Sequence, residues 1–190
     1  MTLLTLIRHG ETDWNRQGRI QGNTDVLLND TGLAQAAEAA ALLDHEPWSG
    51  VVTSPLSRAR VTGEVIATSL GVSTLPPMSG LAERDYGECE GVEMDVARSL
   101  YPSGEYPGSE SNESVFDRAL SAINVIRAAH PGDSVIVVAH GGLLHTLLSR
   151  LNGARVPSIA NATVNVIKYA KDDERWVIQA INSVPHEQSS

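Results

Sequence analysis

The stretch Leu3-Leu4-Thr5-Leu6-Ile7-Arg8-His9-Gly10 starts as a short apolar run and changes abruptly to charged and polar residues. Two further apolar runs of similar length lie at residues 50–53 and 135–139. Runs of this kind, without apolar/polar alternation, are typical of strands buried on both faces, as in a parallel sheet covered by helices. The stretch therefore predicts an α/β fold in which the first strand ends at a polar cluster.

Apolar residues at helical spacing fill the intervals between these runs. One predicted helix begins at a cap, Asp30 or Thr31. Its proposed core face consists of Leu33, Ala36, Ala37, Ala40 and Leu43. Other helices are predicted over residues 111–130, after Gly142 and after Pro55.

The C-terminal part of the sequence changes from this pattern. Segments 162–169 and 175–178 flank a polar turn, which predicts a terminal hairpin. Together the elements predict a three-layer α/β sandwich, with a mostly parallel central sheet, helices on both faces and an antiparallel edge.

Composition indicates one folded unit. The chain has 190 residues, of which 42% are hydrophobic and 19% charged, as in ordinary soluble domains. Neither a repeat nor a linker divides it, so we expect a single domain over residues 1–190. The polar stretch 102–114 predicts a long surface loop, and residues 185–190 a frayed tail.

Charge and cysteine content restrict the partners and the compartment. Fourteen Lys and Arg side chains against 23 Asp and Glu give a net charge of −9, which disfavours binding to nucleic acid or to an anionic membrane. The sequence has no run of membrane-spanning length and no signal-peptide pattern, and its single cysteine, Cys89, cannot form an internal disulfide. We expect a cytoplasmic protein, in which an anionic substrate would need a local positive site.

Chemistry-bearing residues follow the predicted strands. Arg8-His9 follows the first strand, His140-Gly141-Gly142 follows the run 135–139, and Arg58 comes shortly after the run 50–53. Ligands of open α/β sheets gather at the carboxyl ends of strands, so we expect these residues to converge. Arginines clamp phosphoryl oxygens and histidines act as nucleophiles near neutral pH. The sequence has no metal-binding motif and no nucleotide-binding loop, so we predict neither a metal nor another cofactor.

The motif Arg8-His9-Gly10-Glu11-Thr12, with Trp14-Asn15, resembles the signature of the histidine phosphatase superfamily, in its cofactor-dependent phosphoglycerate mutase-like branch. Further blocks follow in the order of that family: Gly18-Arg19-Ile20-Gln21-Gly22, Ser54-Pro55-Leu56-Ser57-Arg58-Ala59, Glu83 with Tyr86-Gly87 and Glu90-Gly91, Gly108 with Glu110-Ser111 and Arg118, and Val138-Ala139-His140-Gly141-Gly142. The resemblance spans residues 8 to 142.

The resemblance implies a role for each matching residue. His9 would be the nucleophile that forms a phosphohistidine, and Glu83 would protonate the leaving oxygen and then activate water. The predicted phosphoryl-binding and substrate-binding residues are Arg8, Arg58, His140, Asn15, Gln21, Gly22 and Gly141. The implied activity is hydrolysis of a small phosphorylated metabolite by a phosphomonoesterase.

Alternatives remain at this stage. A bisphosphoglycerate-dependent phosphoglycerate mutase would share the intermediate; however, Glu110 lies only 23 positions after Gly87, a short segment like that of the phosphatases. A binding protein with a dead site is disfavoured, because every expected catalytic residue type is present. We expect substrate selectivity to come from a cap segment at about 88–114. His145 is interpreted as a packing or surface residue, and Cys89 as a packing residue. A homodimer formed through the terminal edge strands is left open.

Overall fold

The computed structural model describes residues 1–43 and 47–183. The tail predicted at 185–190 lies outside the described residues. None of the helices in the described ranges is long and apolar enough to cross a membrane.

A five-stranded sheet forms the centre of the fold. Its strands are β1 (Leu3–Arg8), β2 (Trp48–Thr53), β3 (Ser134–Ala139), β4 (Val164–Ala170) and β5 (Arg175–Ser183). They lie in the order β2-β3-β1-β4-β5. Strands β1, β2 and β3 are parallel, whereas β4 and β5 form an antiparallel hairpin beside β1. The predicted mostly parallel sheet with an antiparallel edge is confirmed.

Six α-helices accompany the sheet: α1 (Asp13–Arg16), α2 (Asp30–Leu42), α3 (Ser57–Leu70), α4 (Met94–Leu100), α5 (Asn112–Ala129) and α6 (Gly141–Asn152), counted over the described residues. Alternation along the strands divides the core into two layers. Leu4 and Leu6 pack in one cluster with α5 and α6, while Ile7 packs in the other with α2 and α3. Burial of each such aliphatic side chain stabilises the folded state by about 1.5–3 kcal/mol relative to leaving it exposed. The predicted three-layer α/β sandwich is therefore confirmed.

Helix α2 differs from the sequence prediction. Its cap is Asn29, whose side chain accepts a hydrogen bond from the Gly32 nitrogen, and not Asp30 or Thr31. The predicted core positions Leu33 and Ala37 are exposed. The buried face instead consists of Gly32, Ala36, Ala39 and Ala40. Ala36, Ala40 and Leu43 of the predicted face are buried, so the prediction is wrong at Leu33 and Ala37 only. The small residues Gly32 and Ala39 take their place because they let the helix approach its neighbours closely.

Residues 71–111 connect α3 to α5, and their first part runs alongside β2, where the Val51 nitrogen donates to Ser73 O at 3.0 Å. They contain 3₁₀ turns at Ser79–Leu81 and Gly87–Cys89, followed by α4. Cys89 is buried in a small cluster with Ile20 and Ala97, as its predicted packing role requires. Backbone bonds such as Gly91 N to Ile20 O, 2.7 Å, fasten this segment to the chain just after α1. The irregular surface loop covers residues 102–111 and is shorter than the predicted 102–114, because α5 begins at Asn112.

Candidate active site

The ends of three parallel strands bring the predicted chemistry together. Arg8 ends β1, His140 follows β3 as the N-cap of α6, and Ser54 follows β2. The rings of His9 and His140 lie 5.1 Å apart between centroids, tilted by 59°. A pocket of about 260 Å³ opens beside them. Its wall includes the predicted residues Arg8, His9, Asn15, Gln21, Gly22, Arg58, Glu83 and Gly141. His140 is fully buried behind this wall.

His9 is held in one tautomer. Its Nδ1 lies 2.7 Å from the Gly10 carbonyl oxygen, and because a carbonyl only accepts, Nδ1 carries the proton. The lone pair of a neutral ring then lies on Nε2. Burial, reinforced by the positive charges of Arg8 and Arg58, lowers the pKa of His9 well below its usual value. The ring is therefore neutral near pH 7, as an attacking nitrogen must be.

His140 is also neutral. Burial is the main cause of its lowered pKa, and the neighbouring His9 and Arg58 add to the effect. Its Nε2 lies 2.7 Å from the Ser54 hydroxyl, while its buried Nδ1 has no hydrogen-bond partner among the described residues. A neutral imidazole whose Nδ1 is protonated can donate one hydrogen bond to an oxyanion. Ser54, which the sequence placed at a strand end without a role, orients this ring.

Both arginines at the base of the pocket are fixed by backbone carbonyls. Arg8 Nη1 donates to Ile159 O at 2.8 Å, and Arg58 donates to Thr24 O at 2.8 Å and Gly22 O at 2.7 Å. Within the described ranges neither forms an ion pair with a carboxylate. Burial lowers the pKa of both groups, yet guanidinium stays protonated in proteins. Two preorganised positive charges therefore face the pocket without a bound counter-charge.

The backbone carbonyl of Gly22 helps to fix the Arg58 side chain. It adopts a positive φ of 54°, and its carbonyl holds Arg58, while Glu90 accepts hydrogen bonds from the next two backbone nitrogens, of Asn23 and Thr24. A Cβ at Gly22 would collide with the Glu90 carboxylate. Gly22 does line the pocket, but its observed contact is with Arg58.

Glu83 is anchored at the N-terminus of α6. Oε1 accepts from the backbone nitrogens of Arg84 and Leu143, both at 2.8 Å, and Oε2 accepts from Gly142 at 2.9 Å. Oε2 accepts one bond where Oε1 accepts two, so Oε2 is the oxygen with capacity left for a proton. From the other side, Arg118 donates to the Glu83 carbonyl at 3.0 Å.

The glycines after the histidines make room for parts of the protein itself. A Cβ at Gly142 would lie 2.8 Å from Glu83 Oε1, and one at Gly141 would lie 3.0 Å from Arg8 Nε. A Cβ at Gly10 would collide with the Gly32 carbonyl at the start of α2. A glycine beside a site often serves to let the backbone approach a ligand closely. The contact that excludes a side chain is instead with the fold and, for Gly141 and Gly142, with site residues.

Asn161 is a site residue that the sequence did not reveal. Its Nδ2 donates to the His9 carbonyl at 2.9 Å and to Asn15 Oδ1 at 3.2 Å. The Thr12 nitrogen donates to the same Asn15 oxygen. Because both bonds go to Oδ1, the Asn15 amide nitrogen keeps its N–H donors for the pocket that Asn15 lines.

Gln21 and His145 both lie in the wall of the pocket. Gln21 is 7% exposed, and its buried Oε1 has no hydrogen-bond partner among the described residues. His145 was interpreted as a packing or surface residue; it is half-buried and forms part of the pocket wall. Its Nε2 donates to Val156 O at 3.1 Å, which places it beside the loop that follows α6.

The geometry defines a class of protein. A neutral histidine between two anchored arginines, with a second histidine and a carboxyl group nearby, is a site for transfer of phosphoryl groups. The sequence profile of the histidine phosphatase superfamily, branch 1, matches residues 4–184, and the chain belongs to that family.

Relatives and solved structures agree with this membership. Phosphatase PhoE of Bacillus subtilis (strain 168), described as uncharacterized, is 37% identical over 190 residues, covering 98% of this chain and 97% of the relative. A metal-independent phosphoserine phosphatase of Arabidopsis thaliana is 34% identical, covering 98% and 83%. The solved structure of Bacillus stearothermophilus YhfR has a TM-score of 0.88 at 26% identity, covering 97% and 98%. Phosphoglycerate mutases are also among the relatives. The expected family, fold and phosphatase-type enzyme class are confirmed.

Proposed function

We propose that this protein hydrolyses a small phosphomonoester by transferring its phosphoryl group first to His9 and then to water. The observation that carries the proposal is the bond from His9 Nδ1 to the Gly10 carbonyl, 2.7 Å. It leaves a neutral Nε2 as the nucleophile, between arginines that carry no bound carboxylate in the described chain.

In the first half-reaction, Nε2 of His9 attacks phosphorus. A P–N bond forms while the P–O bond to the alcohol breaks, and Glu83 gives its proton to the leaving oxygen. Such proton donation contributes typically about 10²–10⁴-fold. Arg8 and Arg58 hold the non-bridging oxygens and offset the charge that grows in the transition state.

In the second half-reaction, a water molecule replaces the alcohol. Glu83, now ionised, takes one of its protons as the water oxygen attacks phosphorus. The P–N bond breaks, its electron pair returns to Nε2, and orthophosphate leaves. The enzyme regains neutral His9 and protonated Glu83, so protons and charges balance over one turnover.

A phosphoglycerate mutase is the second candidate, because the stretch Glu83-Arg84 with Tyr86-Gly87 is close to the mutase motif. The short cap segment at about 88–114 favours hydrolysis, since it has little chain with which to enclose an intermediate away from water. We further propose a single domain, a cytoplasmic location and catalysis without a metal. A homodimer through the terminal edge strand β5, which the sequence leaves open, is not part of this proposal.

Turnover of a phosphomonoester panel tests the proposal. The panel contains p-nitrophenyl phosphate, phosphoserine, 3-phosphoglycerate and glycerol 3-phosphate, and phosphorus NMR identifies the products. We expect release of orthophosphate without isomerised ester, and no turnover by His9→Ala. Formation of 2-phosphoglycerate that depends on bisphosphoglycerate would establish the mutase instead, and release of no orthophosphate from any ester would contradict the proposal.

A further inference from the structure

The pocket wall carries more positively charged side chains than the binding of one phosphoryl group requires. Among the 18 described residues of its wall, Glu83 is the single carboxylate, whereas the whole sequence has 23 acidic against 14 Lys and Arg residues. The arginines of the wall are Arg8, Arg19, Arg58, Arg98 and Arg155. Although the net charge of the protein is −9, five of its 14 Lys and Arg side chains lie around one pocket of about 260 Å³.

These arginines form two sets. Arg58 is fully buried and Arg8 is half-buried beside His9, and both serve the transferred phosphoryl group. Arg98 and Arg155 are exposed, and Arg19 is half-buried. The three come from other elements: Arg98 from α4, Arg19 from the turn after α1, and Arg155 from the loop after α6. We call these three the outer arginines.

The positive charges of the outer arginines are not neutralised by close carboxylates of the described chain. Across residues 1–43 and 47–183, Arg155 makes no side-chain hydrogen bond or ion pair, and the nearest acidic partner of Arg98 is Asp95, at 3.8 Å with both side chains exposed. An exposed pair of this kind contributes little. Arg19 donates through Nη1 to Gly91 O at 2.7 Å and through Nε to Gln17. Its other terminal nitrogen, Nη2, makes no hydrogen bond to any of the described residues.

The backbone that carries Arg155 is fixed. The next residue, Val156, is buried at 4% exposure. Its nitrogen donates to Ser149 Oγ at 3.2 Å and its carbonyl accepts from His145 at 3.1 Å, so two residues of α6 hold it. Arg155 therefore extends from an anchored loop, and little backbone order is lost when it binds a ligand.

We propose that the outer arginines form a subsite for a second anion, and that the preferred substrates are small phosphomonoesters with a second anionic group, a carboxylate or another phosphate. The proposal rests on the proposed function and specifies its substrate class. Unpaired like charges around one space repel each other, and an anion between them relieves that repulsion. Ile20, Met94 and Ile159 belong to the same wall and suit a short carbon skeleton between the two anions.

Binding to a catalytically dead protein separates this inference from the chemistry. In the His9→Ala protein, calorimetry measures Kd for glycerol 3-phosphate, for 3-phosphoglycerate and for propane-1,3-diol bisphosphate. The first has one anionic group, the second adds a carboxylate and the third a second phosphate. The same ligands are then measured with Arg155→Gln and with Arg98→Gln added. Arg175→Gln, which removes one charge from an exposed position in β5, is the matched control.

We expect Arg155→Gln to weaken binding of at least one two-anion ligand about tenfold, the loss of one charge-assisted contact. Binding of glycerol 3-phosphate should change less than about twofold, and Arg98→Gln should show the same selectivity. Which of the two ligands responds identifies the second anion. Equal weakening for all three ligands would mean general attraction of anions and would overturn the proposal, as would no weakening. Failure of the proposed function would appear separately, as no turnover by the parent protein.

Discussion

At the scale of single residues, the site depends on which atoms carry protons. The Gly10 carbonyl fixes the proton of His9 on Nδ1, and three backbone nitrogens orient Glu83 with its Oε2 less engaged than Oε1. His9 is thus prepared to attack phosphorus, and Glu83 is prepared to exchange a proton with the leaving oxygen and then with water. The two half-reactions should respond differently when Glu83 loses its acid–base function.

Glu83→Gln should separate the two half-reactions. Glutamine keeps the shape but cannot take a proton from water, so dephosphorylation should slow. Phosphorylation by p-nitrophenyl phosphate should persist, because its leaving group needs little protonation. We expect a burst of p-nitrophenol followed by slow turnover, measured by stopped-flow absorbance.

The carboxylate of Glu11, two positions after His9 in the sequence, provides the control for that experiment. Glu11, which accepts a hydrogen bond from Asn29 at 2.9 Å, can be replaced by Gln with the acceptor oxygen retained. Glu11→Gln should show no burst. If Glu83→Gln turned over the ester at the parent rate without a burst, Glu83 would not be the base.

At the scale of elements, strands were easier to predict than contacts between loops. The apolar runs predicted β1, β2 and β3, and the family motifs predicted which strand ends carry the site. The sequence did not predict Asn161 as a site residue, because its hydrogen-bond partner His9 is 152 positions away. Once β4 is known to pair with β1 in the register Ile7 to Val164, the residues just before β4 necessarily lie beside Arg8 and His9.

Helix α2 shows a second limit of periodicity as a signal. Its core face is made of Gly32 and alanines, which carry weak hydrophobic signals, while Leu33 is 41% exposed. Close approach, not side-chain volume, decides this packing, since Gly32 meets Gly10 directly. A pattern of large apolar residues does not reveal where two backbones need to touch.

At the scale of the whole molecule, two buried neutral histidines should make folding sensitive to acid. The folded-state pKa values of His9 and His140 are lowered, whereas an unfolded histidine titrates near about 6.5. Below that pH the unfolded chain binds more protons than the folded one, so the free energy of unfolding decreases as pH falls. Each histidine contributes a slope of up to about 1.4 kcal/mol per pH unit.

Urea unfolding of the parent protein and of His9→Asn between pH 7 and pH 5 measures this dependence. The parent should lose stability more steeply than the variant, because the variant has one titrating group fewer. Equal slopes would mean that His9 is not held neutral in the folded protein.

The most direct test of the account is the location of transferred phosphate. Glu83→Gln protein, in excess EDTA, is mixed with ³²P-labelled p-nitrophenyl phosphate and quenched within milliseconds in alkali, in which phosphohistidine survives. The account predicts acid-labile label on the peptide that contains His9, and none in protein that also carries His9→Ala. Label on another peptide, acid-stable label, or a phosphoenzyme that forms only when a divalent metal is restored would contradict it.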